Sequence, residues 1–491
     1  MNTRTLYIET MGCQMNVLDS ELVAGQLRRA GFAPARDMAS ADVVLINTCS
    51  VRDHAEKKAL SRLGQLKRPK QDNPDMVVGV IGCMAERDPD GIVAKVPYVD
   101  LICGPGELHK IPAMIEEVRS SRQRAVALAS SRSRRSSLAE RALQYDSLEA
   151  LDLSREPEPG QRPLQPYIRI QRGCVKFCTF CVVPFTRGPE RSRPPNQIVD
   201  EAKMLVDRGA KEITLLGQTV NSYLNQDEGH MVRLPDLLQR LDAVPGLERL
   251  RFVTSYPGDF TEDIFEAMRD LPTVCEYLHL PVQSGSDAVL ARMKRQYTIA
   301  RFCELIDRGR ETVPGITFAT DFIVGFCGET DEEYAETVAL VERCRFKNIF
   351  CFKYSQRPGT VADKRIPDNV PETVKKRRNN DLLAVQERIS LEQNQFLIGR
   401  TVEVLVEGYS KAAIKAQEAE QSRGTEVNWR RSDQLVGRTR GDRIVVFNSD
   451  PEPIGQLIPI RITGATALTL FGDRVQAADE RTTGTSLPVV A

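Results

Sequence analysis

No apolar run in this 491-residue chain approaches the roughly eighteen residues that a membrane-spanning helix needs. The first residues, Met1-Asn-Thr-Arg-Thr-Leu-Tyr7, carry no apolar signal region. Both absences lead to the expectation of a cytoplasmic protein with no membrane attachment. Net charge is lacking too, because 67 lysines and arginines balance 67 aspartates and glutamates. No global field draws the chain to nucleic acid, so any such site must be local. Tryptophan occurs once, at Trp429. Cysteine is what the chain has in number, with twelve. In a reducing compartment these argue for metal ligation or buried thiols rather than disulfides. The hydrophobic fraction of 41% supports ordinary globular cores. The length implies about three domains of roughly 150 residues each.

Three of the cysteines sit together in Arg172-Gly-Cys174-Val-Lys-Phe-Cys178-Thr-Phe-Cys181, a C-x3-C-x2-C spacing. The stretch follows Tyr167-Ile-Arg-Ile-Gln171, an alternating run that reads as a short strand. Three thiolates from one tight loop can hold three irons of a cubane cluster and leave the fourth open to a small chelating molecule. Zinc is the alternative. A closed zinc site takes four ligands, and no fourth Cys or His lies within forty residues on either side.

Residues 1–118 alternate strand and helix patterns. Thr5–Glu9, Val43–Asn47, Val77–Ile81 and Val99–Ile102 read as strands. Leu18–Ala30, Val51–Leu66 and Ala85–Val96 read as helices. Such alternation implies a doubly wound parallel sheet. Cys13, Cys49 and Cys83 each follow a strand of that sheet. Ligands bind outside the carboxyl ends of such strands, so three thiols far apart in sequence can meet there. Three small buried residues is the other reading. Cys103 also follows a strand and can compete as a ligand.

Residues 119–165 read as a basic, Ser/Arg-rich linker, with six arginines and no acid between Arg119 and Ser137. A solvated connector and an accessory phosphate contact are both open readings. Residues 166–395 show six β/α repeats, too few for a closed eight-stranded barrel and suited to an open, partial one. In barrel architectures the reactive loops follow the strands' carboxyl ends. Gln218, Ser255 and Gln283 lie in such loops beside the Cys174–Cys181 loop. Arg187, Arg191 and Arg193 follow the cysteine loop and suit a phosphate-rich substrate. Lys375-Lys-Arg-Arg378 adds a basic run on a long helix that starts near Pro371. Residues 396–473 hold about five short strands that fit a small β-barrel of the kind that binds oligonucleotides. Trp429 among Arg423, Arg430 and Arg431 can stack on a base or plug a small core. Residues 474–491 are expected to be disordered.

The cysteine loop, with Phe180 just before its last cysteine, resembles the cluster motif of the radical S-adenosylmethionine superfamily. Along nearly its whole length the chain resembles the tRNA methylthiotransferases, closest to their MiaB-type branch. The resemblance is carried by Met11-Gly-Cys13-Gln-Met-Asn16, Ile46-Asn-Thr-Cys49-Ser-Val-Arg52, Ile81-Gly-Cys83-Met-Ala-Glu86 and Leu216-Gly-Gln218-Thr-Val-Asn-Ser-Tyr223. Leu280-Pro-Val-Gln-Ser-Gly-Ser286 and Asp321-Phe-Ile-Val-Gly-Phe326 extend it. The last domain resembles the TRAM domain, an RNA-binding barrel. Two departures are Cys327, where the family commonly has proline, and a long segment from Ser410 to Asn428.

The resemblance implies an α/β enzyme with a doubly wound N-terminal sheet, a partial (β/α)6 radical barrel and a TRAM-like β-barrel. It implies two 4Fe-4S clusters, one on Cys174, Cys178 and Cys181 and an auxiliary one on Cys13, Cys49 and Cys83. S-adenosylmethionine would contact Phe180, Gln218, Ser255 and Gln283. The expected reaction inserts a methylthio group at C2 of N6-isopentenyladenosine 37 of tRNA, after hydrogen abstraction by a 5′-deoxyadenosyl radical. Expected partners are tRNA, a reductant such as flavodoxin or ferredoxin, and a sulfur donor; a monomer is expected. Sister branches act on threonylcarbamoyladenosine or on a ribosomal-protein aspartate and share the six cysteines. A non-catalytic, redox-sensing iron–sulfur RNA-binding protein is a rival of another class.

Overall fold

The computed structural model describes residues 4–50, 53–129, 147–153, 155, 163–416 and 433–475. The fold is α/β. The N-terminal sheet contains β1 (Arg4–Met11), β2 (Phe32–Pro34), β3 (Val43–Thr48), β4 (Val77–Gly82), β5 (Leu101–Cys103) and β6 (Ala125–Ala127), all parallel, in the order β2-β1-β3-β4-β5-β6. Every residue of β3 and β4 is buried. Alternate residues of β3 enter opposite layers: Val43 and Leu45 pack with Leu18, Leu22 and Ile115, while Val44 and Ile46 pack with Ala59, Leu63 and Val78. A strand apolar on both faces is what helices on both sides of a parallel sheet require.

The sheet runs further than the expected boundary at residue 118. The helix Ile111–Ser121 continues past it, and β6 pairs Leu101 with Ala125. The strand is only three residues long and stands in a stretch rich in serine and arginine, whose composition gives a linker in sequence. Residues 147–153, also in that stretch, are helical. The basic run Arg132–Ser137 lies outside the described residues, as do Arg423, Trp429, Arg430, Arg431 and residues 476–491.

Six parallel strands form the central unit: β7 (Tyr167–Arg169), β10 (Glu212–Leu216), β13 (Arg249–Phe252), β14 (Tyr277–His279), β15 (Thr317–Val324) and β16 (Asn348–Lys353). Two small ribbons interrupt the series, β8 (Gln171–Arg172) with β9 (Arg191–Ser192) and β11 (Leu224–Asp227) with β12 (His230–Arg233). Sheets β13-β10-β7 and β14-β15-β16 meet through a parallel bridge between Leu250 and Val274. The result is an open, partial barrel around an apolar core that includes Ile168, Leu215, Phe252, Leu278 and Phe322.

The last unit is a closed five-stranded barrel in the order β17-β18-β19-β21-β20. Its strands are β17 (Thr401–Tyr409), β18 (Gln434–Arg438), β19 (Ile444–Asn448), β20 (Leu457–Ala465) and β21 (Thr469–Arg474). Arg474 is therefore strand rather than tail. In the segment from Ser410 to Asn428, residues 411–416 are helical and the remainder lies outside the described residues.

This barrel is seated on the amino ends of the central strands. Arg251 donates to the carbonyls of Arg440 and Thr439, each at 2.6 Å. Thr317 Oγ1 donates to the Gly441 carbonyl at 2.9 Å, and Lys347 pairs with Asp442 at 2.7 Å. Arg440 closes a fork on Glu276. Arg438 pairs with Asp442 and Glu407. Arg438 and Arg440 are thus spent on ion pairs at or beside its seat.

Candidate functional site

At the carboxyl edge of the N-terminal sheet, register places Met11 beside Thr48 and Thr48 beside Gly82. The next residues are Gly12-Cys13, Cys49 and Cys83, so the three thiols gather just past one edge. The Cys49 amide donates to the Met11 carbonyl at 2.9 Å. Cys13 is the N-cap of the helix Gln14–Arg29, and its thiol donates to Asn16 Oδ1 at 3.3 Å. Asn16 Nδ2 in turn donates to Asn47 Oδ1 at 2.9 Å, while Asn47 Nδ2 reaches the Asn16 carbonyl and Ser20 Oγ. This buried amide pair ties the Cys13 loop to the end of β3. Gly82 turns at φ +93°, and a Cβ there would stand 2.4 Å from Asn47 Oδ1, so glycine lets the chain pass into the Cys83 helix.

A hydrogen bond with Cys49 draws the Cys13 thiol down to about 6 against its burial, and the charge of Arg187 adds to the effect. Burial raises the Cys83 thiol, with Arg187 opposing. Cys103 stands apart. It is the last residue of β5, fully buried among Leu101, Leu108 and Ile115, and burial raises its thiol strongly. It is a buried thiol one strand beyond the triad.

The second cysteine loop follows the first central strand. Gly173 makes it possible: at φ +73° a Cβ would lie 2.1 Å from the Pro189 carbonyl. The Cys174 amide donates to the Gly188 carbonyl at 3.1 Å, and the Cys181 amide to the Cys178 carbonyl at 3.0 Å. All three thiols are half-buried. Burial pushes Cys181 up to about 12 and raises Cys174. Loading a metal must therefore displace protons from both. Arg295 donates to Cys178 Sγ at 3.6 Å and to the Pro281 carbonyl at 2.6 Å. Its guanidinium stacks on Tyr256 and Tyr297, 4.6 and 5.1 Å from their centroids. No sequence signal marked Arg295. It lies 114 residues beyond Cys181 and arrives through the fold.

The expected small-molecule contacts lie on the same rim. Phe180 packs edge-on to Phe326 at 6.4 Å. Gln218 Oε1 and Ser255 Oγ are buried without a hydrogen-bond partner. Gln283 holds φ +80° and Thr254, next to Ser255, holds φ +70°. Left-handed backbone at a β-branched residue costs free energy and collects at ligand clamps. His279 and Asp321, 3.2 Å apart, complete this rim and were not singled out as site residues from sequence. Orphaned polar atoms and strained backbone together at the strands' carboxyl ends are what a polar ligand resolves on binding.

The three arginines read as phosphate contacts separate. Arg191 is exposed on β9. Arg193 is 3% exposed, donates to Glu201 Oε2 at 2.8 Å and pairs with Glu149. Arg187 is 7% exposed at its side chain and pairs with Asp19 at 2.9 Å. Arg187 and Arg193 are internal cations, which corrects their reading as backbone-phosphate contacts. The long-helix run divides likewise. Lys375 and Arg378 turn inward to Asp368 and to Glu329 with Asp331, while Lys376 and Arg377 stay exposed. A charge read singly from sequence does not reveal a distant acid that meets it. Among the described residues no three Cys, His, Asp or Glu side chains close on a single ion position.

Family models match three stretches of the chain: an uncharacterised protein family designated UPF0004 at residues 5–104, the radical SAM superfamily at 168–341 and the TRAM domain at 425–475. A tRNA-2-methylthio-N(6)-dimethylallyladenosine synthase of Rhodopirellula baltica is 50% identical over 478 residues, covering 96% of this chain and 95% of that one. Its namesake from a Thermoanaerobacter species is 41% identical over 472 residues, covering 96% and 92%. Among solved structures, the radical S-adenosylmethionine methyltransferase TsrM of Kitasatospora setae, with tryptophan and an analogue of S-adenosylmethionine bound, has a TM-score of 0.51 at 16% identity. That match covers 72% of this chain and 73% of TsrM and speaks to fold alone. The radical SAM match carries with it a 4Fe-4S cluster and S-adenosylmethionine.

Proposed function

This chain belongs to the family of tRNA-2-methylthio-N(6)-dimethylallyladenosine synthases, and on that premise we propose that it inserts a methylthio group at C2 of N6-isopentenyladenosine 37 of tRNA. The enzyme is a radical SAM transferase. The observation that carries the reading is the 50% identity to the Rhodopirellula baltica synthase along 96% of the chain, and the two cysteine triads, each at a carboxyl strand edge, suit it.

Cys174, Cys178 and Cys181 would hold a 4Fe-4S cluster that, when bound, supplies the electron for cleaving S-adenosylmethionine to the radical that takes hydrogen from C2. Cys13, Cys49 and Cys83 would hold an auxiliary cluster as the source of the inserted sulfur. The donor sets suit this: each triad supplies three thiolates and leaves one cluster iron free. Arg295 fixes the Cys178 side chain from one side and ties it to the loop after β14. Gln218 Oε1 and Ser255 Oγ offer unpartnered acceptors to the cofactor's ammonium and hydroxyl groups. Phe180, packed against Phe326, gives the loop an apolar wall. The Asn16–Asn47 pair holds Cys13 to the sheet edge. A reductant and a sulfur donor complete the cycle, and Arg191 faces the tRNA.

The test is anaerobic assay of the reconstituted enzyme on isopentenylated tRNA, on threonylcarbamoylated tRNA and on the ribosomal protein. 2-Methylthio product on the first alone is expected. Product on either of the others instead moves the chain to a sister activity. Binding of tRNA with no cleavage of S-adenosylmethionine makes it a non-catalytic protein. Nucleoside mass spectrometry of tRNA from cells with and without the protein gives the same answer in vivo.

A further inference from the structure

We propose that Arg187 is a positioning residue of the N-terminal triad: a cation supplied by the radical core that holds the charge of the auxiliary cluster and sets where that cluster stands. The inference rests on the reading that Cys13, Cys49 and Cys83 hold a cluster. Arg187 lies six residues after Cys181, at the C-cap of the short helix Val183–Thr186. That helix packs against Cys83–Arg87, the helix that begins with a triad cysteine. The Arg187 guanidinium donates to Asp19 Oδ2 at 2.9 Å, and its charge acts on the Cys83 and Cys13 thiols. Asp19 is fully buried, and its other oxygen accepts from Arg169 at 2.6 Å. Both Asp19 oxygens are thus occupied by core cations, and Arg187 is the one whose charge also acts on the triad.

This placement has an electrostatic consequence. A cluster ligated by three thiolates is anionic, and its reduced form carries one more negative charge. In a buried site a fixed cation favours the reduced form more than the oxidised form, which raises the reduction potential. Asp19 acts with the opposite sign on the same site. Arginine suits the task because its planar fork can bind the Asp19 carboxylate and still present donors and charge toward the triad, whereas lysine keeps the charge without the fork. The arrangement also couples geometry, since only five residues of chain separate Arg187 from the last cysteine of the radical loop. One backbone stretch therefore carries both a thiol of the radical loop and the cation whose charge acts on the N-terminal triad.

The experiment uses the full-length chain with Cys174, Cys178 and Cys181 replaced by Ala and reconstituted with iron and sulfide. Only the N-terminal triad then contributes a signal. Iron content and the midpoint potential from an electron paramagnetic resonance titration are read on each variant. Arg187→Gln is expected to keep its iron and to lower the reduction equilibrium constant about tenfold, a shift of about 59 mV for one electron. Arg187→Lys is expected to shift less, and Asp19→Asn to shift the opposite way. A merely structural role predicts altered stability or loading without opposite signs in potential. Unchanged potentials in Arg187→Lys and Asp19→Asn, or shifts of the same sign in Arg187→Gln and Asp19→Asn, overturn the proposal. If Arg187→Gln does not fold, the other two variants still decide. Absence of iron in the parent with Arg187 intact overturns the auxiliary-cluster reading itself, and so is distinct from a failure of Arg187.

Discussion

Arg169, in the first strand of the radical core, donates to Oδ1 of Asp152 at 2.6 Å, and Asp152 belongs to the helix of residues 147–153 that precedes the core. Asp152 is 1% exposed; it also pairs with Arg172, and Arg193 lies 3.6 Å away. The segment read as a solvated connector therefore supplies the central anion of a buried cluster of arginines. Removing one partner of a buried pair leaves the others uncompensated and costs about 3–5 kcal/mol. Asp152→Ala is expected to lower the unfolding free energy of the apoprotein by that amount in a denaturant titration. A loss below about 1 kcal/mol, the level of a surface pair, counts against the network.

The same residue makes acid sensitivity predictable. Burial opposes its charge, but Arg169, Arg172 and Arg193 prevail and hold its carboxyl down to about 2, below the ordinary 3.8. A depressed carboxylate contributes stability that is present above its unfolded value and lost as pH falls through its folded value. The contribution is on the order of 2 kcal/mol. The stability gap between wild type and Asp152→Asn is expected to be constant above about pH 5 and to close between about pH 4 and pH 2. A gap that stays constant down to pH 2 assigns the stabilisation to something other than the charge.

Much of the architecture is legible in sequence because strand ends are. Val43–Thr48 and Val77–Gly82 are apolar throughout, which reveals burial on both faces and thus a parallel sheet with helices on each side. A cysteine placed just after such a strand is located in space as well as in sequence, which is why both triads can be found without coordinates. Side-chain direction is not legible in the same way. Arg187 and Arg193 look alike beside Arg191 in the chain, yet each meets acids from remote segments, Asp19 for one and Glu149 and Glu201 for the other. Arg295 reaches Cys178 through two tyrosine faces that lie far apart in sequence. Periodicity reports burial of apolar residues and is blind to buried charge.

The rim yields a prediction in which stability and binding move apart. Gln218 Oε1 and Ser255 Oγ are buried and unpartnered, so deleting them removes a desolvation cost from the apoprotein. Ser255→Ala and Gln218→Leu are expected to leave unfolding stability unchanged or raised by up to about 1 kcal/mol. Each is expected to weaken S-adenosylmethionine binding by about 1.5–3 kcal/mol, the worth of a hydrogen bond to a charged group. Calorimetric binding and denaturation of the same preparations check both halves. Wild-type affinity in both variants removes these residues from the cofactor site.

Salt dependence separates the arginines that sequence grouped together. Arg191 is exposed, so Arg191→Ala is expected to lower the slope of log tRNA affinity against log salt by about 0.7 to 0.9. Arg193 is held between Glu149, Asp152 and Glu201, so Arg193→Ala is expected to leave that slope unchanged. Its cost instead appears in stability, by about 3–5 kcal/mol. A slope change in Arg193→Ala places that guanidinium on the RNA after all.

The last prediction separates the two cysteine triads. Cys13, Cys49 and Cys83 meet because three neighbouring strands of one sheet end together, whereas Cys174, Cys178 and Cys181 sit in one loop of another domain. The triple change of the first set to Ala leaves the second loop's contacts with Gly188 and Arg295 in place. Bound iron is therefore expected to fall by about half, from roughly eight to roughly four atoms per chain. Reductive cleavage of S-adenosylmethionine is expected to persist, because it draws on the Cys174–Cys181 loop. Methylthio product is expected to vanish, because sulfur is proposed to leave from the N-terminal triad. Iron, 5′-deoxyadenosine and 2-methylthio product are measured on one preparation. Product at the wild-type yield removes the N-terminal triad from sulfur delivery. Loss of all iron shows that the radical loop depends on the N-terminal sheet to fold, the dependence that the Arg187–Asp19 pair and the Asp152 helix would transmit.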